Sequence, residues 1–201
     1  MPPGERQRLI VEIAAEAIGQ PIRHSPTFQW MLNQHRVEEF GPHFDVIERI
    51  FSELGGCPES AGAKRVTTLK SDAYIGGDYN CLLEFDEFQH FSSARAIALR
   101  MLPPNIPLGF SRVRYLEYCQ ANSQAADLYR FRKRTSDFDF DGGRTAQRAY
   151  FDCFRDLLPT VHGLRPTIRI TAFEVESIDS NCAAARKALK RIIAERVPYT
   201  D

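Results

Sequence analysis

Residues 80–86, Asn-Cys-Leu-Leu-Glu-Phe-Asp, form a short apolar run that carries two acids. On an extended chain Cys81, Leu83 and Phe85 fall on one face and Leu82, Glu84 and Asp86 on the other, because successive side chains point to opposite sides. A second such run, 166–175 (Pro-Thr-Ile-Arg-Ile-Thr-Ala-Phe-Glu-Val), is the strongest strand signal in the chain. Shorter β-type runs at 64–70 and 71–75 precede the first, with Gly76-Gly77-Asp78 as a turn signal between. The intervening segments keep a helical period. They lie at 5–19, 26–39, 43–54, 92–101, 111–121, 144–157 and 181–196. A central mixed sheet of about four to five strands flanked by helices, α+β or mixed α/β, accommodates this order. Residues 1–40 read as an N-terminal helical extension, and 41–201 as a core domain with an insertion around 103–143.

The chain has 201 residues, enough for one sizeable core. No apolar run approaches the roughly 20 residues of a membrane span, so no membrane is expected. The N-terminal residues show no apolar signal segment. Five cysteines, none in a CxxC pair, argue against a zinc ribbon or a disulfide framework and for a reducing, cytoplasmic setting. Lys and Arg number 26 and Asp and Glu 26, so there is no global attraction to nucleic acid. A polyanion must be handled by a local surface or by a metal.

Glu84 and Asp86 on one face of an apolar strand repel each other and are costly to bury. A hard divalent cation removes that conflict. Asp72, across the Gly-Gly turn, reaches Glu84 in a hairpin, so Asp72, Glu84 and Asp86 form an oxygen-rich candidate pocket for Mg²⁺ or Mn²⁺. Such an ion polarises a phosphoryl oxygen and acidifies its water. The bland alternative is an exposed strand end beside a turn acid. Gln89 and His90 follow directly, and an imidazole there can orient water, bind phosphate or ligate metal.

The segment from Lys70 to Phe91 resembles the PD-(D/E)XK superfamily, the restriction-endonuclease-like nucleases. It is most similar to the branch related to very-short-patch-repair endonucleases, whose strands read as an Asp, a hairpin, then apolar-Glu-apolar-Asp-Gly-x-Gln-His. Asp72 matches the first acid, with Ser71 in place of the usual proline, and Glu84 matches the second. Asp86 stands at the lysine position, Glu87 where glycine is common, and Gln89-His90 match the closing pair. Helix 43–54 takes the place of the superfamily's first helix, and its Glu48 matches an auxiliary metal carboxylate. Tyr150 to Val175 looks like the closing helix, glycine and strand. The resemblance covers 43–100 and 145–176. It implies a restriction-endonuclease-like core and Mg²⁺-dependent cleavage of DNA, RNA being the alternative, in restriction, repair or anti-phage defence. With the lysine gone, Lys70, Gln89 and His90 are the candidates to position water. The rival reading is a non-catalytic nucleic-acid- or partner-binding module that has kept the fold.

Further basic residues are candidates for phosphate contact: the knot Arg130, Arg132, Lys133 and Arg134, then Arg144 and Arg148 near a helix start. Arg169, mid-strand, needs an anion, either a carboxylate or a DNA phosphate. Because net charge is zero, DNA binding is expected to use the basic loop, a homodimer or a partner protein of a defence system. Asp137-x-Asp139-x-Asp141-Gly142 opens like a calcium loop, but Arg148 occupies the position of the bidentate glutamate, so Asp141 reads instead as a helix cap. No P-loop, GxGxxG, GxSxG or HExxH occurs, which removes those enzyme classes.

Overall fold

The computed structural model describes residues 4–175 and 183–196. The elements are α1 (Glu5–Ile18), β1 (Ile22–His24), β2 (Thr27–Leu32), α2 (Val37–Phe40), α3 (Phe44–Glu53), α4 (Pro58–Ala63), β3 (Thr68–Lys70), β4 (Ala73–Ile75) and β5 (Cys81–Asp86). They continue through a 3-10 turn at Phe88–His90 to α5 (Ser93–Met101), α6 (Arg112–Leu128), α7 (Gly143–Val161), β6 (Arg165–Thr171) and α8 (Ala183–Arg196). The main sheet has the order β1-β4-β5-β6, antiparallel except for the parallel β5–β6 pair, while β2 and β3 form a separate antiparallel pair. The chain is therefore α+β, with helices on both faces of its central sheet.

The alternation along β5 sorts its side chains between two cores. Leu83 and Phe85 pack with Ile168 and Ile170 of β6 into the cluster that includes Ile10 and Ile13 of α1 and Leu189 and Ile193 of α8. Leu82 faces the opposite cluster, built from α3, α5, α6 and α7. Glu84 and Asp86 share that second face with Leu82, so both acids enter the interior beneath α7.

Residues 26–39, expected to be helical, form β2 and the short α2 instead. The reason is local: Phe28 and Trp30 are partly buried while Thr27 and Gln29 are exposed, a period of two rather than 3.6. β1 was also unanticipated. Together β1–β2 and β3–β4 make one ribbon that passes from the main sheet into the small one. Pro26 breaks the ladder at the corner because it has no N–H to donate. Ser25 N–H donates to the Asp72 carbonyl and Ser71 N–H to the Pro26 carbonyl, which holds the corner and sets Asp72 at the point where the ribbon turns.

Two further devices fix α7 against the sheet. Pro159, inside its last turn, cannot donate to the Arg155 carbonyl, and the Thr167 hydroxyl of β6 donates to that carbonyl instead. Gly109 forms a parallel bridge with Ile168 and so covers the outer edge of β6. A Cβ on Gly109 would stand 2.4 Å from the Thr167 carbonyl oxygen, which is backbone and cannot step aside. Gly109→Ala is expected to lower stability by about 1–3 kcal/mol, read as an earlier thermal transition; an unchanged transition would show that the edge has room.

No helix among the described residues is long and apolar enough to cross a membrane. Cys57, Cys81, Cys119 and Cys153 are free thiols. Cys182 and the expected start of the last helix at 181–182 lie outside the described residues.

Candidate active site: the acid layer beneath helix α7

Asp72 immediately precedes β4, where the β4–β5 ladder stops at Ala73 and side chains take over from backbone. Asp72 Oδ2 accepts from the Phe85 N–H at 2.8 Å, and Asp72 N–H donates to Glu84 Oε1 at 3.2 Å. Each carboxyl thus uses one oxygen to hold the strands together. Asp72 Oδ1 is in no hydrogen bond among the described residues, and Glu84 Oε2 faces Arg155 Nε at 3.3 Å. That Nε is buried and makes no directed hydrogen bond, so its contact with Glu84 is electrostatic.

Deeper in the same layer, Arg169 lies on β6 directly across from Glu84 in register. Its Nη1 donates to both oxygens of Asp86 at 2.9 Å and its Nε to Asp156 at 2.8 Å. The Tyr115 hydroxyl donates to Asp86 at 2.9 Å, and Arg95 pairs with Asp156 at 2.8 Å. Five carboxylates (Asp72, Glu84, Asp86, Asp152, Asp156) therefore meet three guanidiniums (Arg95, Arg155, Arg169) in this layer. Carboxyl groups outnumber guanidiniums there by two, and His90 also faces Asp86 and Asp152.

The excess falls on Asp72 and Glu84. Burial pushes Asp72 up to about 6, against the pull of the Phe85 N–H and Arg155. Burial and the adjacent Asp72 push Glu84 up to about 8. Asp152 behaves oppositely: burial opposes its charge, but His90 and Arg169 outweigh burial and hold the carboxyl well below the usual range. His90 Nδ1 lies 3.0 Å from Asp152 and 3.5 Å from Asp86. In a neutral imidazole, a proton on the Nδ1 that faces the two acids would leave Nε2 as the acceptor.

These groups open into a cleft of about 250 Å³ whose lining includes Asp72, Glu84, Gln89, His90, Arg148 and Arg155. Arg144, Asp152, Glu87, Phe85 and Phe151 complete the wall, and Gln7 of α1 closes one side. Arg148 donates to the Gln89 carbonyl at 3.1 Å and so braces the turn that carries His90. Burial lowers the pKa of both Arg144 and Arg148, and the nearby Asp152 partly opposes it.

The sequence-derived candidates divide clearly. Asp72, Glu84, Gln89, His90, Arg144 and Arg148 converge on the cleft. Asp86 shares their face but does not line the cleft, its carboxylate being taken by Arg169 and Tyr115. With His90 and Asp152 it belongs to a group whose ligand atoms lie within 4.8 Å of one another and could hold a metal ion, though an ion there would compete with the Arg169 guanidinium.

Arg169 is corrected outright: wholly buried and paired with acids, it has no access to a DNA phosphate. Glu48 is also corrected. It is exposed on α3 and lines a different cavity, with His35 and Tyr150. The Lys70 side chain is exposed on β3 and does not line the cleft; only its carbonyl takes part, accepting from Arg155 at 2.6 Å. In the knot, Arg134 is neutralised by Asp141 and Asp139, while Arg130, Arg132 and Lys133 have no acidic partner among the described residues. Asp141 caps nothing: α7 begins after Gly142 without a side-chain cap, and Asp137 is held by Lys64 and Gln147.

Arg155, Asp152, Asp156, Arg95 and Tyr115 were missed in the sequence. A signal existed in Tyr150-Phe-Asp-Cys-Phe-Arg-Asp-Leu-Leu158, where acids four residues apart interrupt the apolar stripe of a helix. No protein-family model matches this chain, and no curated protein or solved structure matches it.

Proposed function

We propose that this protein hydrolyses phosphodiester bonds of DNA with a divalent cation, Mg²⁺ or Mn²⁺, held by Asp72 and Glu84. The observation that carries the reading is the placement of two adjacent buried acids, Asp72 and Glu84, both held above the ordinary carboxylate range, at the mouth of an arginine-lined cleft. The donor set fits such an ion, since both groups are hard oxygen ligands and each keeps one oxygen outside the strand-to-strand hydrogen bonds. When bound, the cation would supply Lewis-acid stabilisation of phosphoryl charge.

The protein's own groups account for the remaining tasks. Arg144 and Arg148, guanidiniums in the cleft wall, bind the phosphate backbone. Arg155 supplies, from a helix, the positive charge that a lysine at position 86 would have supplied from the strand. His90, oriented through Nδ1 by Asp152, offers Nε2 to take a proton from the attacking water, and Gln89 beside it helps hold that water. The β4–β5 hairpin with its acids and the α7–Gly163–β6 unit support a restriction-endonuclease-like assignment. The setting we infer is intracellular restriction, repair or anti-phage defence, with a second copy or a partner protein of a defence system completing the grip on DNA.

The test is cleavage of plasmid, single-stranded DNA and RNA with Mg²⁺, Mn²⁺ or EDTA. Wild type is expected to cut with either metal and not in EDTA. Glu84→Ala should abolish cutting, and His90→Ala should slow it by about 10²–10⁴-fold. Nucleic-acid binding without cutting by wild type under any of these conditions would return the non-catalytic module instead.

A further inference from the structure

Seven large apolar side chains are exposed among the described residues, and four of them cluster where α6 gives way to α7. Leu128 is 67% exposed, Phe131 44%, Phe140 36%, and Phe88, on the 3-10 turn packed beside them, 42%. Exposed aromatic rings gathered in one place on a small domain mark a surface that meets something. What they meet is indicated by the charges set among them. The acids of this segment are taken, Asp139 and Asp141 by Arg134 and Asp137 by Lys64, while Arg130, Arg132 and Lys133 are in no ion pair among the described residues. The occupant is therefore anionic and has flat apolar faces.

The surface also joins the cleft. Phe88 stands between Glu87 and Gln89, which line the cleft, and its ring meets Tyr129 edge-on at 5.5 Å. The Arg148 guanidinium, a cleft residue, lies 5.6 Å from the Tyr129 ring centre, and Arg130 lies 5.2 Å from it. Tyr129 thus has the Phe88 ring and two guanidiniums, Arg130 and Arg148, around it, and Phe131 follows Arg130 in the chain. A paired duplex buries its base faces in its own stack and presents only edges and phosphates. An unpaired strand presents both base faces and phosphates, which is what neighbouring rings and cations engage.

We propose that the α6–α7 loop and the Phe88 turn form a docking surface for single-stranded nucleic acid, with unpaired bases stacking on the exposed rings and Arg130, Arg132 and Lys133 holding phosphates. The proposal builds on the nuclease reading, in that it assigns an unpaired strand as the form of substrate led into the cleft. The surface itself needs no catalysis.

Fluorescence anisotropy with a labelled oligothymidine and a hairpin duplex of equal length, in EDTA, tests it on the full chain. Oligothymidine is expected to bind wild type at least ten-fold tighter than the duplex. Phe131→Ala and Phe88→Ala should each weaken oligothymidine by about five-fold or more, and Phe131→Tyr, which keeps the ring, should retain binding. The double change Arg132→Gln with Lys133→Gln should flatten the salt dependence of log affinity by about 1.4. Duplex binding equal to or tighter than strand binding, or ring deletions without effect, would overturn the proposal. Strand binding without cleavage of any substrate would remove the enzyme and keep the surface; cleavage of duplex without strand binding would do the reverse.

Discussion

Arg169→Met is expected to cost about 3–5 kcal/mol of stability, the usual penalty for breaking a buried ion pair by removing one partner. The size follows from the arrangement. Arg169 bridges Asp86 and Asp156, both about as buried as itself, and also donates to the Asp152 carbonyl at 3.0 Å. Methionine fills similar volume and leaves two carboxylates deep in the protein without their main cation. Arg95 still neutralises Asp156, so the larger share of the loss falls on Asp86, which keeps only Tyr115 and His90. In thermal unfolding the change should appear as a fall of roughly 10 °C or more. Asp86→Asn in the same background should recover part of it, because the orphaned charge is then gone, and the two changes should be markedly non-additive. A loss below about 1 kcal/mol, the scale of an exposed ion pair, would mean that the acids are satisfied without Arg169.

The same residue shows where the sequence stops being legible. An arginine between Ile168 and Ile170 could be recognised as needing an anion, and its register opposite Glu84 follows once β5 and β6 are paired. Two of its partners could not be recognised, because Asp152 and Asp156 come from α7, whose contact with the sheet is a product of packing. The alternation of β5 was readable because a period of two is a local property, and it correctly put Glu84 and Asp86 on one face. Their different fates, one at the cleft and one locked inside, depend on how far each lies from the corner at Pro26 and Asp72. That corner is invisible to a helical reading of 26–39, although Phe28 and Trp30 alternate with Thr27 and Gln29. Glu48 was misplaced for a related reason: the position of a helix in a motif does not say which of its faces meets the site. The absence of a lysine at position 86 can be seen in the sequence, whereas the guanidinium that faces Glu84, that of Arg155, comes from α7.

Because Asp72 and Glu84 hold protons the unfolded chain would release, stability should fall as pH rises from about 5 to 9. Both folded-state values, about 6 and about 8, lie above the ordinary carboxylate range. The folded state therefore binds more protons than the unfolded state between about pH 4 and 8, and linkage makes stability decline with pH across that window. The contribution is complete below pH 4 and is lost on passing the Glu84 value. Asp152 works in the other direction, its lowered pKa adding stability that disappears only on strong acidification. Glu84→Gln removes the group that titrates last. The variant should match wild type near pH 5, exceed it by roughly 1–3 kcal/mol at pH 8–9, and show a flatter profile in urea unfolding. On the proposed function a divalent cation would take the place of the proton, so Mg²⁺ or Mn²⁺ should raise the melting temperature of wild type more at pH 8 than at pH 6 and leave Glu84→Gln nearly unmoved. If wild type and variant share one pH profile, the two acids are not the seat of the excess charge. A metal shift that survives in Glu84→Gln but is lost in Asp152→Asn would move the ion to the Asp86, His90 and Asp152 group. The pH profile and the metal shift thus locate the charge by two independent readings, neither of which requires a substrate.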